Sequence, residues 1–136
     1  MKKIISFIII VAFLSSCQSK KEERPSDALS TGRTFINASL KGDFEQAETL
    51  LLHDTNNIQL FEAYKLYYKR MPEEKKQQYK VATYEINKYE DLNDSVTIIN
   101  FSNDYMKKPM ELKIVRINNI WNVDFKYTYS GNLPID

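Results

Sequence analysis

Residues 120–129 read Ile-Trp-Asn-Val-Asp-Phe-Lys-Tyr-Thr-Tyr, and the reading of this run decides the fold class. Trp121, Val123, Phe125, Tyr127 and Tyr129 alternate with Asn122, Asp124, Lys126 and Thr128. A period of two sends one set to a buried face and the other to water. The run is therefore expected to be a strand with Asp124 on its wet side. Upstream, Met110, Leu112 and Ile114 alternate with Glu111 and Lys113 in the same way. Asn118-Asn119 suits a tight turn between these two runs, because asparagine tolerates the positive φ that such turns need. Two earlier β-rich runs, 80–90 and 95–102, complete a set of four with 110–118 and 120–129. Leu92-Asn93-Asp94 joins the first pair, and the longer 103–109 segment joins the second and third.

The chain before this point has the helical period. Ala28, Leu29, Phe35, Ile36 and Leu40 share a face over residues 26–40, with Ser26 or Asp27 as cap and Gly42 as the left-handed stop. Asp43 opens a second helix, with Gln46 three residues on as a capping box prefers, ending near His53. A third is expected over 56–71, where Leu60, Phe61, Tyr64, Tyr67, Tyr68 and Met71 form an apolar and aromatic stripe. Pro72-Glu73-Glu74 can open one further turn. Helices first and strands afterwards argue an α+β domain with N-terminal helices packed on an antiparallel four-stranded meander.

The order of elements, with Leu40-Lys41-Gly42-Asp43-Phe44-Glu45-Gln46-Ala47 early and Ile120-Trp121-Asn122-Val123 late, resembles the small bacterial lipoproteins that carry a nuclear transport factor 2-like domain of unknown function. The likeness covers about residues 26–129. It implies a curved sheet wrapped around helices to form a cone with an opening. Within that fold some relatives bind small molecules, some dimerise through the sheet and some are enzymes. The Asn118-Asn119 turn replaces the glycine-containing turn of the group.

The N-terminus supports the lipoprotein part of the resemblance. Lys2 and Lys3 precede an apolar run, residues 4–14, broken only by Ser6. Ser15 and Ser16 follow, and then Cys17. This is the layout of a secretory signal peptide, and the run is too short for the roughly 20 residues of a membrane span. Leu14-Ser15-Ser16-Cys17 resembles the lipobox, which implies cleavage between Ser16 and Cys17 and acylation of Cys17. Cys17 is the only cysteine, so no intramolecular disulfide can form. The expected division is a signal peptide over 1–16, a lipidated cysteine and flexible tether over 17–25, and one domain over 26–136. The tether contains no apolar residue between Gln18 and Asp27. Its Ser19-Lys20-Lys21-Glu22-Glu23 stretch resembles the charged signals that route some lipoproteins to the cell surface, and it is equally the composition of a solvated linker. The anchor thus points to the outer membrane of a bacterial envelope, with the domain facing the periplasm or the cell surface.

Charge excludes one class of partner. The chain has 19 basic and 18 acidic residues, and losing Lys2 and Lys3 leaves 17 against 18, a net of −1. A near-neutral exported domain has no electrostatic case for nucleic acid.

No catalytic constellation is legible. His53 is the only histidine and reads as a charge at a helix C-terminus. No Gly-x-Ser-x-Gly, His-Glu-x-x-His or glycine-rich phosphate loop occurs, so no cofactor or metal is expected. Enzymes of the resembled fold place an acid and a tyrosine inside the cone, but Glu85, Glu111 and Asp124 all fall on outward phases. Asn100 is in phase with Val96 and Ile98 and is expected to face inward. Nine tyrosines stand out. Tyr64, Tyr67, Tyr68, Tyr84 and Tyr127, with Asn100, form the candidate pocket for a small apolar or aromatic ligand or a peptide. The competing reading is a structural or interaction protein, a homodimer included, with a filled cone. It rests on Val115, Ile117 and Ile120, which lie off the main apolar phase and so place apolar surface on both faces of the sheet.

Overall fold

The computed structural model describes residues 23–129. The signal segment, Ser16, Cys17 and the tether as far as residue 22 lie outside the described residues, as do residues 130–136. The order is α1 (Ala28–Lys41), α2 (Phe44–Thr49), α3 (Thr55–Arg70), α4 (Glu73–Val81), β1 (Tyr84–Asn93), β2 (Val96–Asn103), β3 (Pro109–Ile117), β4 (Ile120–Val123) and α5 (Phe125–Tyr129). The four strands form one antiparallel sheet in the order β1-β2-β3-β4, and helices pack on one of its faces. The expected α+β meander is therefore present.

The helix starts follow from local chemistry. Asp27 accepts from the amide of Ser30, Asp43 from that of Gln46, and Asp54 from that of Asn57. Each carboxylate satisfies an amide that a helix start leaves unpaired. Gly42 ends α1 with φ 73°. At the β3–β4 turn, Asn118 and Asn119 adopt φ 51° and 61°, the left-handed pair of a two-residue hairpin.

The core lies between α1, α3 and the inner face of the sheet. Gly32 lets α1 approach β2 closely, since a Cβ built there would collide with Ile99 Cδ1. Ile99, Phe101, Met110, Leu112 and Ile114 line the sheet side. Phe35, Phe61 and Phe125 meet above them, with ring centroids 5.2–6.0 Å apart.

Several expectations are corrected. The strand expected over 120–129 stops at Val123, and α5 follows. The amide of Tyr127 turns back to the carbonyl of Asp124, so Phe125 and Thr128 become inward neighbours at helical spacing. Asp124 is consequently buried instead of wet, at 5 % exposure. The extra turn at Pro72 is a nine-residue helix, because buried Tyr79 holds it against Tyr68 and Tyr105; strand β1 accordingly begins at Tyr84. Helix α2 ends at Thr49, so His53 is an exposed residue beyond the helix and not its terminal charge. The inward phase of β2 is Thr97, Ile99, Phe101 and Asn103, which puts Asn100 on the other face with Val96 and Ile98.

Candidate functional site

Among the described residues, the interior holds a small cavity of about 50 Å³. Phe35, Ile36, Ser39 and Leu40 of α1 form one wall, and Phe101, Met110 and Leu112 of the sheet form another. Tyr64, Tyr79, Phe125 and Thr128 close the end, and Met106 comes from the 103–109 segment. The wall is almost entirely apolar, yet two of its residues, Ser39 and Thr128, carry buried hydroxyls without a hydrogen-bond partner among the described residues. A buried unpaired hydroxyl is unfavourable by about 1–3 kcal/mol, so native interiors seldom keep one without a reason. Here two belong to residues that line the same space.

Tyr64 is one of two tyrosines in the lining. Burial, reinforced by the neighbouring tyrosines, pushes its ionisation well above the ordinary value of 10, and the same burial pushes Tyr79 up to about 12. Both are neutral phenols at any physiological pH. Among the described residues, no carboxylate, imidazole or ammonium lines the cavity. Its chemistry is that of an uncharged, mainly apolar group carrying one hydrogen-bonding atom.

The six residues expected to form a pocket are dispersed. Tyr64 alone lines the cavity. Tyr68 is buried behind it, edge-on to Phe44 at 4.9 Å, with no hydrogen-bond partner for its hydroxyl among the described residues. Tyr67 points to solvent at 42 % exposure. Tyr84 and Asn100 line an open groove of about 810 Å³ beside the 103–109 segment. There Asn87 Nδ2 donates to Asn100 Oδ1 at 3.0 Å. Tyr127 donates to Glu111 at 2.8 Å and borders a third hollow with Lys113, Asp124 and Lys126.

The sequence reading missed Ser39, Thr128, Met106 and Met110 as lining residues. It also missed a polar clasp. Asn57 is fully buried and donates from Nδ2 to Asp54 at 2.7 Å and to Asp124 at 3.2 Å, while its Oδ1 accepts from the amide of Lys126. Lys113 and Lys126 lie 3.7 and 3.6 Å from the Asp124 carboxylate. Each polar group of the clasp is matched, which is the mark of a structural fastening of α3 to α5. Asp124 before Phe125 was the available signal, since an acid ahead of an apolar residue is also a helix start.

Among the described residues, no group of three or more His, Cys, Asp or Glu could hold a metal ion, and no helix is long and apolar enough to cross a membrane. Residues 1–18 match the family model of the prokaryotic membrane lipoprotein lipid attachment site. No curated protein and no solved structure matches the chain. The match spans the Leu14-Ser15-Ser16-Cys17 sequence, and the chain is a bacterial lipoprotein held to the cell envelope through lipid on Cys17.

Proposed function

We propose that the anchored domain is a non-enzymatic binding module of nuclear transport factor 2-like architecture. Its site is the interior cavity, and its ligand is a small, uncharged, mainly apolar molecule with one hydrogen-bonding atom. The observation that carries this reading is that Ser39 and Thr128, whose buried hydroxyls have no hydrogen-bond partner among the described residues, line one apolar space. A water molecule occupies about 30 Å³ of liquid, so a cavity of about 50 Å³ receives only a small group as it stands. Larger ligands require Met106 and Met110 to yield, which unbranched thioether side chains do readily. The outer membrane as the site of anchoring rests on the lipobox and the charged Ser19-Lys20-Lys21-Glu22-Glu23 stretch alone.

The test is a methyl NMR titration of the domain with 2-methyl-1-propanol. Saturable shifts at the Thr128 and Met106 methyls are expected, and they should vanish in Thr128→Val, which keeps shape and removes the hydroxyl. In that variant the Met106 methyl is the reporter. Shifts spread over the surface without saturation would contradict the reading.

One observation favours a second reading. Helices cover a single face of the sheet, and Val96, Ile98 and Val115 are only half-buried on the other. A second copy stacked sheet to sheet would cover them. Four strands about 4.8 Å apart and on average about 26 Å long present roughly 500 Å² per copy, about 1,000 Å² in total, which is the size of a weak, transient pair. Sedimentation at high concentration decides: a dimer that Ile98→Lys dissolves supports this reading, and a strict monomer removes it.

A further inference from the structure

The tether does not run free up to the domain. Arg24 lies only seven residues beyond the lipidated cysteine, and its guanidinium is already docked. Nη1 donates to the carbonyl of Thr49 at the end of α2, and Nη2 donates to the carbonyl of Trp121 at 3.0 Å and to Asn122 Oδ1 at 2.7 Å. Two of these acceptors belong to the exposed edge of β4, where Val123 is in turn paired with Leu50 and Leu52.

That docking fixes which side of the domain meets the membrane. Seven residues reach at most about 25 Å when fully extended, and about 15 Å as a relaxed chain. A folded unit of this size, with a radius of gyration of about 13 Å, is roughly 34 Å across, so it is wider than the tether is long. The β4 edge that carries Arg24, beside the β3–β4 turn, is therefore held within that reach of the bilayer that holds the Cys17 lipid.

The surface at that end has the matching chemistry. The β3–β4 hairpin turns at Asn118-Asn119, and Ile117 and Ile120 flank the turn at 47 % and 46 % exposure. On the opposite face of the hairpin Trp121 is half-buried, with the Arg116 guanidinium 5.3 Å from its ring centroid. A hairpin tip with an apolar pair on one face and tryptophan with arginine on the other has the composition that settles at the boundary between headgroups and acyl chains.

We propose that the β3–β4 hairpin, through Ile117, Ile120, Trp121 and Arg116, rests on the phospholipid surface in which Cys17 is anchored, with the Arg24 clasp holding it there. The lipid chain then supplies attachment and the hairpin supplies orientation. The sheet stands on the membrane by its β3–β4 tip, and the interior cavity is kept above the headgroups.

Trp121 is the only tryptophan, so its fluorescence reports on the hairpin alone. The full lipidated protein is reconstituted in phosphatidylethanolamine–phosphatidylglycerol vesicles, with and without brominated acyl chains. Trp121 emission should be lower in the brominated vesicles than in the plain ones if the ring lies at the boundary. The quenching should fall sharply in an Ile117→Glu/Ile120→Glu variant that keeps its circular dichroism, and also in Arg24→Ala. Three outcomes would overturn the proposal. Emission could be indifferent to bromine, or quenching could be unchanged in the double variant. Trp121 could instead be shielded from aqueous acrylamide yet untouched by bromine, which would give the hairpin to a second copy.

Discussion

Asn57 and Asp124, 67 residues apart in sequence, are joined in the interior by a hydrogen bond of 3.2 Å. The bond locks the first turn of α3 to the turn that ends the sheet. Asn57 uses its amide nitrogen, its side-chain donors and its side-chain acceptor on Asp54, Asp124 and Lys126. Around the buried Asp124 carboxylate, two lysines stand at longer range than this bond.

Replacing Asn57 with Leu should therefore destabilise the domain by roughly 2–4 kcal/mol, because it strips a buried carboxylate of its donor. Urea denaturation measures this. A change within about 0.5 kcal/mol, the range of an ordinary surface substitution, would show that the clasp fastens nothing.

Gly42 is the second sensitive point. Its φ of 73° is left-handed, and an added Cβ would lie 2.8 Å from the Tyr68 hydroxyl. Gly42→Ala should lower stability by about 1–3 kcal/mol through strain and overpacking together. Tyr68→Phe removes a buried hydroxyl that has no partner among the described residues, and combined with Gly42→Ala it should restore part of the loss. If the two substitutions simply add, the contact between these residues is not the cause.

Acid should loosen the helix starts. The Ser30 amide holds Asp27 below its ordinary value of 3.8, and the Asn57 amide does the same for Asp54. A depressed folded value means stability that is present above about pH 4 and is lost as pH falls through the folded values. Denaturation midpoints should decline below pH 4, and an Asp27→Asn/Asp54→Asn variant should decline less steeply. Equal slopes would locate the acid sensitivity elsewhere.

Alkali should act through the core tyrosines. Burial raises Tyr79 from 10 to about 12 and moves Tyr64 in the same direction. For an acid whose charged form is disfavoured by burial, a raised folded value gives stability that is intact below pH 10 and is lost as pH climbs toward 12. Tyrosinate absorbance should rise in two stages, the second coinciding with loss of helical circular dichroism. A single smooth titration with the fold intact at pH 12 would contradict the burial of these hydroxyls.

The local signals in the sequence were strong where one residue decides one feature. Asp27, Asp43 and Gly42 act at the helix ends as their chemistry requires, and Asn118-Asn119 makes the hairpin. Periodicity placed β3 correctly because Met110, Leu112 and Ile114 have no competing pattern. It misled over 120–129, where Phe125 suits a strand and a helical turn alike. There a long-range partner, Asn57, decided the matter. The same limit hid the cavity: Ser39 and Thr128 are unremarkable in sequence, and only the fold brings these two residues with unpaired hydroxyls to the wall of one space.

That cavity also gives the most direct measurement. Native mass spectrometry of the mature lipoprotein, released from detergent micelles, would compare the unaltered chain with Ser39→Ala/Thr128→Val. The binding reading predicts an added small mass that is lost on denaturation and absent from the variant, while the emptied variant is as stable as the parent or more so, by up to about 2 kcal/mol. A bare mass for the unaltered chain, together with the same gain in stability for the variant, would mean the hydroxyls face an empty space, and would contradict it.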